Sequence, residues 1–366
     1  MGNEKTLTFG PELINQLKKI IEEKDEISDK PGSYTFKNIN EEYVSDLISG
    51  YQFKRKIKAV VACGNGTAGI FAPEVFNLLG IEVIPLHCDL DASFPNYNPN
   101  PEDLKMLKDL GKHVLANKAD IGFAFDGDGD RVGVVDNNGH EIFADKIGLL
   151  IARNLATEVS NSKFVIDVKS TSLFSTDEIL KKNNSEIIFW KTGHSYIKRK
   201  TSDINATAGF ERSGHFFFNN PIGRGYDDGI LSALEILKIL DKNENQTISD
   251  LYNELTITFS SPTMSPKCPE ESKYKLVEKI EEIFQNKKKN NETVAGQKIL
   301  SILTVNGVRI HLEDGSWGLV RASSNSPNLV VVCESTISEE RMKEIFNDLN
   351  NELMKFNEIG EYDQKI

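Results

Sequence analysis

KAVVACGNGTAGIFAPEVFNLLGIEVIPL, residues 58–86, is the stretch on which the reading of the fold turns. It holds an apolar run (KAVVA), a glycine-rich turn from Gly64 to Gly69, a helix-length segment (IFAPEVFNLLG) and a second apolar run (IEVIPL). Two short apolar strands joined by one helix must lie parallel, because a hairpin cannot join parallel strands and the crossover that does so is right-handed. The same order recurs at 163–191: KFVIDV, then KSTS, then LFSTDEILKKN, then EIIFWK. Two such units imply an internal structural repeat and two α/β layers in tandem.

The last hundred residues change character. YKLVEKIEEIFQ (274–285) has the spacing of an amphipathic helix. ILTVNGVRIHL (302–312), WGLVRAS (317–323) and LVVVCES (329–335) read as three strands in antiparallel succession, and a helix over 338–356 closes the chain. The polar run NKKKNNETVAG (286–296) reads as an exposed loop. At the other end, residues 11–23 space Leu13, Leu17, Ile20 and Ile21 at helical intervals, between a short strand TLTF (6–9) and a polar linker EKDEISDKPGSY (23–34). The expected fold is therefore α/β: two tandem α/β/α layer domains with mixed sheets, followed by a smaller α+β C-terminal domain. The divisions fall at 1–40, 41–145, 146–258 and 259–366, the first being the tail of an α/β domain with its linker.

Composition narrows the function. A length of 366 residues is enough for two to four domains at roughly 100–150 residues each. A net charge of −12 argues against nucleic acid or an anionic membrane surface as partner, so any anionic substrate must be caught by locally placed basic residues. No apolar run approaches the ~20 residues of a membrane span, and MGNEKTLTFGPE lacks the features of an export leader. The four cysteines, Cys63, Cys88, Cys268 and Cys333, lie far apart in sequence and form no CxxC pair, so a reducing cytoplasm is expected and a disulfide or zinc site is not.

Gly64-Asn65-Gly66-Thr67-Ala68-Gly69 fits GxGxxG between strand and helix, and Asp89 stands where a dinucleotide fold would hold a ribose hydroxyl. The competing reading is a tight turn that needs glycine for backbone geometry alone. The sharper signal is Asp126-Gly127-Asp128-Gly129-Asp130-Arg131, set between two strands. Three carboxylates at alternate positions, with glycines that let the backbone curl, turn inward on one hard cation. Magnesium is expected where a phosphate completes the coordination, and Arg131 offers that phosphate a bidentate grip. A calcium EF-hand would need Gly at 131 and Glu at 137, which hold Arg131 and Asn137.

These stretches together resemble the α-D-phosphohexomutase family. FDGDGDRVGVVD is similar to its metal loop, KTGHS (191–195) to the segment whose histidine approaches the transferring phosphate, and GFERSGH (209–215) to its sugar-binding loop. RASSNSPN (321–328) resembles the phosphate-binding loop of its last domain, and CGNGTAG and FPNYNPNP (94–101) also agree. On its own chemistry, Glu211 can accept two neighbouring sugar hydroxyls and Ser213 can add a donor; a surface loop is the bland alternative. Where this chain has Arg212, the family often has methionine. Arg321, Ser323, Ser324, Asn325 and Ser326 make a cradle of donors for a phosphate, or else a Ser/Asn-rich hairpin turn.

The resemblance implies the following roles. Asp126, Asp128 and Asp130 hold Mg2+, and Arg131 orients the moving phosphoryl group. His194 is a candidate for proton transfer, although a lone histidine is more often structural. Lys169, Glu211, Ser213, His215 and the Arg321 loop bind the phosphorylated hexose, a glucose or mannose phosphate. The implied reaction interconverts hexose 1-phosphate and 6-phosphate through a phosphoserine, with hexose 1,6-bisphosphate as intermediate and activator. The family's serine sits in a loop resembling T-A-S-H-N-P, and no such stretch occurs among the 366 residues. About one domain's length is therefore expected to be absent, through truncation, a mis-called start, a split gene whose other product supplies the domain in trans, or a natural remnant, and the isolated chain is expected to turn over weakly or not at all. Other readings are a non-catalytic phosphosugar-binding protein and, from the glycine turn, an NAD-dependent dehydrogenase.

Overall fold

The computed structural model describes residues 11–23, 32–364 and 366. The expected strand 6–9 and most of the expected linker lie outside these residues. The chain packs as two compact units. The first takes the described residues up to Val165 with Lys182–Glu186 and His194–Tyr252; the second takes Ile166–Lys181, Ile187–Gly193 and Asn253–Ile366.

Helices α1 (Pro11–Glu23) and α2 (Asn40–Ser49) come first. The opening strand–helix–strand stretch then forms as read: β1 (Lys58–Ala62), α3 (Ala68–Leu78) and β2 (Glu82–Leu86), with the strands parallel. Helix α4 (Leu104–Asn117) is started by Asp103, whose carboxylate accepts from the Lys105 and Met106 amides, and leads to β3 (Ile121–Phe125), parallel to β1. Strands β4 (Val132–Asp136) and β5 (Glu141–Ile142) add on antiparallel, giving the order β2-β1-β3-β4-β5. Val60, Ala62 and Ala124 on the sheet pack with Leu110 and Val114 of α4 in one apolar cluster. The central strands β1, β3 and β4 are buried almost throughout, which explains their near-continuous apolar runs, whereas the edge strand β2 is largely open.

After α5 (Ala144–Glu158) the pattern repeats: β6 (Lys163–Asp167), α6 (Leu173–Thr176), α7 (Glu178–Lys182) and β7 (Glu186–Trp190). The expected single helix over 173–183 is thus two short ones. Asp177 breaks it: its backbone is extended at ψ 128, and its carboxylate accepts from the Ile179 and Leu180 amides to start the second. Then come α8 (His194–Asp203), β8 (Ala208–Phe210), β9 (Phe216–Phe218), α9 (Gly229–Lys242) and α10 (Ile248–Asn253). The strand order β7-β6-β8-β9 copies β2-β1-β3-β4, so the repeat seen in the sequence is a repeat of topology. Helices α5 and α9 pack on each other and on β4, making the first unit continuous.

The C-terminal part is a six-stranded antiparallel sheet, order β10-β15-β14-β13-β12-β11. Strand β10 (Phe259–Ser260) precedes α11 (Lys273–Lys289), and a small hairpin of β11 (Thr293–Val294) with the start of β12 (Gln297–Leu303) turns through Ala295 and Gly296, both at positive φ. The reading of 286–296 as mere loop is corrected at both ends: α11 continues through 286–289, and β11 follows at 293–294, where Val294 is buried. Strand β13 (Val308–Leu312) is followed by β14 (Trp317–Ala322), β15 (Leu329–Ser335) and α12 (Glu339–Leu353). ILTVNGVRIHL is accordingly two strands rather than one, because Asn306-Gly307 turns the chain back, with Gly307 at φ 87. A Cβ at Gly307 would lie 2.4 Å from the Val320 carbonyl oxygen, so only glycine serves at that turn.

One face of this sheet meets α11 and α12 around Ile280, Ile310, Val320 and Ile345. The other carries Trp317 at the centre, packed with Val168 and Phe189. The register sets His311 and Glu334 on either side of Trp317. Burial, reinforced by the Arg309 guanidinium, pushes the His311 imidazole down to about 3. A histidine held neutral stabilises the fold fully above its unfolded value near 6.5 and loses that contribution as pH falls toward 3. Between pH 7 and pH 4 this should remove about 3 kcal/mol of stability. Urea unfolding of the second unit at both pH values, with and without His311→Gln, checks it: the variant should show a visibly smaller loss.

Candidate functional site

The acidic loop leaves β3 with Asp126, which is only 3% exposed. Its Oδ1 accepts from the Gly129 and Arg131 amides at 3.0 and 3.1 Å, and its Oδ2 from Arg131 Nε at 2.6 Å. Gly129 stands at φ 81, the left-handed turn that glycine permits. Asp128 is exposed and Asp130 half-buried, and one carboxylate oxygen from each of the three lies within 4.8 Å of the others. Burial raises the Asp126 carboxyl above its usual range even though Arg131 pulls the other way. A buried carboxyl poorly compensated by one guanidinium, in an all-oxygen set of this span, fits a hard divalent cation.

The glycine turn supports this loop. A Cβ on Gly66 would stand 2.9 Å from the carbonyl oxygens of both Asp126 and Gly127, and the Thr67 amide donates to the Gly127 carbonyl at 3.0 Å. A Cβ on Gly69 would lie 2.0 Å from the Cys88 carbonyl oxygen. These glycines are required where backbones approach one another, so the tight-turn reading accounts for them without a dinucleotide. Asp89 has its carbonyl bound by Asn65 Nδ2.

The 209–215 loop is fastened to the far end of the acidic loop. The Val132 amide donates to the Gly214 carbonyl, and Arg131 and His215 form an isolated β-bridge. His215 consequently sits between Glu211, at 3.2 Å from Nδ1, and Asp130, at 3.3 Å from Nε2, with Ser213 Oγ 3.1 Å from Nδ1. Burial works against charge on this imidazole, but the contacts with Asp130 and Glu211 outweigh it and push the group up to about 10. Glu211 is 2% exposed. Arg212 turns its guanidinium over the Phe143 ring, 5.3 Å from the centroid. His194, at the start of α8, stacks on His215 with ring centroids 5.7 Å apart and faces Asp227 at 3.6 Å.

Asp227 and Lys198 were not singled out in the sequence. Lys198 Nζ is 2.6 Å from Asp227 Oδ1, and Asp227 joins Asp130 and His215 in a second group with metal-ligand spacing. The signal was the acidic pair of Tyr226-Asp227-Asp228-Gly229, which also starts α9 through Asp228.

The second unit carries the remaining residues. Lys169 lies just past β6, 8% exposed, its amide bonded to Asp167 Oδ1. Arg321 is 6% exposed at the end of β14 and donates to Asn306 Oδ1 and the Ala322 carbonyl. Beyond it, Ser323 and Ser326 share a hydroxyl contact at 2.9 Å, and Ser324 and Asn325 are exposed at the loop tip. Asn306, hidden in what the sequence read as one strand, links Arg321 to the Thr192 amide.

Three family models cover most of the chain: phosphoglucomutase/phosphomannomutase α/β/α domain II over 41–139, α/β/α domain III over 143–259 and the C-terminal domain over 266–352. The chain belongs to the phosphoglucomutase/phosphomannomutase family. A phosphomannomutase/phosphoglucomutase of Pseudomonas aeruginosa is 36% identical over 343 residues, 93% of this chain and 70% of the relative. A phosphoglucomutase of Neisseria meningitidis is 36% identical over 329 residues, 90% of this chain and 68% of the relative. Among solved structures, a phosphoglucomutase/phosphomannomutase family protein from Burkholderia thailandensis superposes with a TM-score of 0.81 at 31% identity, over 95% of this chain and 70% of that one. The expected fold class agrees with that match.

Proposed function

We propose that this chain binds hexose phosphates and Mg2+ as the metal-, sugar- and phosphate-holding part of a phosphohexomutase that interconverts hexose 1-phosphate and 6-phosphate. The observation that carries it is the junction of two loops: Val132–Gly214 and Arg131–His215 set the aspartates of one beside Glu211 and Ser213 of the other. Asp126, Asp128 and Asp130 are the ligands for Mg2+, which when bound neutralises charge on the transferring phosphoryl group. Arg131 orients that group, and His194 accepts or returns the hydroxyl proton. Glu211, Ser213 and His215 hold the ring hydroxyls. Lys169 with Arg321, Ser323, Ser324, Asn325 and Ser326 binds the phosphate that is not reacting. Glucose and mannose phosphates are the substrates, hexose 1,6-bisphosphate the activator, and the cytoplasm the compartment. The divisions at 41–145, 146–258 and 259–366 follow from the same reading.

The phosphoryl-carrying serine is, in this reading, not one of the 366 residues. Turnover of glucose 1-phosphate with Mg2+ and trace glucose 1,6-bisphosphate tests it. The chain alone should be inactive or nearly so, and a separately added serine-bearing N-terminal domain of a relative should restore activity. Full activity of the chain alone would overturn the serine assignment. Failure of rescue, with binding of glucose 1-phosphate retained, would favour the non-catalytic binding protein.

A further inference from the structure

Cys63 and Cys88 are 25 residues apart in sequence, yet their sulfurs lie 3.6 Å apart. The parallel pairing of β1 and β2 brings them together, since each follows the end of its strand and Ala62 is paired with Leu86. Cys63 is fully buried and Cys88 half-buried, so Cys88 is the outer residue of the pair. The hydrogen bond between the two thiols lowers the Cys88 thiol from its ordinary value, with burial opposing, and raises Cys63. The outer thiol is thus the one that ionises first and the inner one is positioned to resolve it. The wide sequence spacing of the four cysteines hides this pair, because only the strand register shows it.

What surrounds the pair connects it to the acidic loop. Cys63 opens the glycine turn whose Gly66 lies against the Asp126 and Gly127 backbone, and Cys88 presents its carbonyl to Gly69. Asn65, between them, is bound on every side: its amide to the His87 carbonyl, its Nδ2 to the Asp89 carbonyl, its carbonyl to the Asp91 amide and its Oδ1 to Asn96. Turn and loop are therefore one hydrogen-bonded piece, and a shift at Cys88 is felt at Gly66.

We propose that Cys63 and Cys88 form a reversible disulfide under peroxide, and that closing it loosens the acidic loop's hold on its cation. The Cys88 thiolate attacks one peroxide oxygen, giving a sulfenic acid and, with a proton, one water. The Cys63 sulfur then displaces the hydroxyl from Cys88 as a second water, so that two thiols and one hydrogen peroxide give one disulfide and two waters. The sulfurs must close from 3.6 Å to about 2 Å, which draws the Cys88 loop toward the turn that supports Asp126.

The second half rests on the metal reading of the acidic loop, so the Mg2+-induced rise in unfolding temperature of the reduced chain is measured first. The chain is then treated with hydrogen peroxide, alkylated and mapped by mass spectrometry. The expected result is a Cys63–Cys88 cross-linked peptide, with Cys268 and Cys333 still free, and an apparent Mg2+ affinity weaker by roughly 10-fold that dithiothreitol restores. Cys88→Ser and Cys63→Ala, tested separately, should each keep the Mg2+ response after peroxide. Overoxidised Cys88 without a cross-link would overturn the disulfide. A cross-link with an unchanged Mg2+ response would overturn the coupling. No Mg2+ response in the reduced chain would defeat the metal reading, while the peptide map still decides the disulfide.

Discussion

Replacing Glu334 by alanine is expected to destabilise the second unit by ~4 kcal/mol. Glu334 has no exposed surface. Its Oε1 accepts from Trp317 Nε1 at 2.8 Å, from the Thr171 hydroxyl at 3.0 Å and from the Ser172 amide at 3.1 Å. Its Oε2 accepts from Thr258 and Ser260. On the same sheet face, the fully buried Arg309 lies 3.7 Å over the Trp317 ring and donates to the Val168 and Ser170 carbonyls. Alanine would orphan several buried donors at once, which together cost kilocalories.

Glu334→Gln separates charge from shape. The amide oxygen can still serve Trp317 and Thr171, and the Thr258 and Ser260 hydroxyls can turn to accept from the new NH2. The expected loss is then only ~1–2 kcal/mol. Urea unfolding followed at Trp317 distinguishes the two variants. Equal losses for alanine and glutamine would show that the charge rather than the hydrogen bonds is what matters. Because Thr171 and Ser172 belong to the turn that bears Lys169, the proposed phosphate-binding role of Lys169 predicts that the alanine variant also weakens glucose 6-phosphate binding beyond what its folded fraction explains.

This network shows where the sequence is silent. Glu334 sits in LVVVCES and Arg309 in VRIHL, and a charge within a strand reads as a residue facing solvent. Only the pairing of β14 with β15, and the segment 166–173 laid on that face, turns them inward. The acidic loop was legible because its three carboxylates and its arginine are contiguous, so local spacing alone brings them together. The 209–215 loop is likewise contiguous, so its Glu211, Ser213 and His215 could be picked out together. Asp227 and Asn306 were missed because their significance depends on partners far along the chain: His194 and Lys198 for one, Arg321 and Thr192 for the other. The repeat was legible in two apolar strand–helix–strand runs, whereas the Asn306-Gly307 turn was overlooked because apolar residues continue on both sides of it.

Asp128→Ala should nearly abolish the stabilisation of the chain by Mg2+ while leaving its stability without Mg2+ almost unchanged. The asymmetry within the acidic loop makes this the clean substitution. Asp126 is buried and holds the Gly129 and Arg131 amides, so its removal would collapse the loop whatever the loop binds. Asp130 is tied to His215, so its removal would release the sugar loop as well. Asp128 is exposed, and its carboxylate oxygen lies within 4.8 Å of one from each of the other two, so of the three it is the ligand proposed above that can be removed with least damage to the loop. On the proposed Mg2+ role of the three aspartates, losing one carboxylate should weaken binding on the order of 100-fold. At a Mg2+ concentration of about 100 times the dissociation constant, the unaltered chain gains about 2.7 kcal/mol and the variant only about 0.4 kcal/mol. Thermal unfolding with and without Mg2+ reads that difference directly. A full Mg2+ shift in Asp128→Ala would move the cation to the other group with ligand spacing, Asp130, His215 and Asp227, and Asp227→Asn would then be the variant that abolishes it.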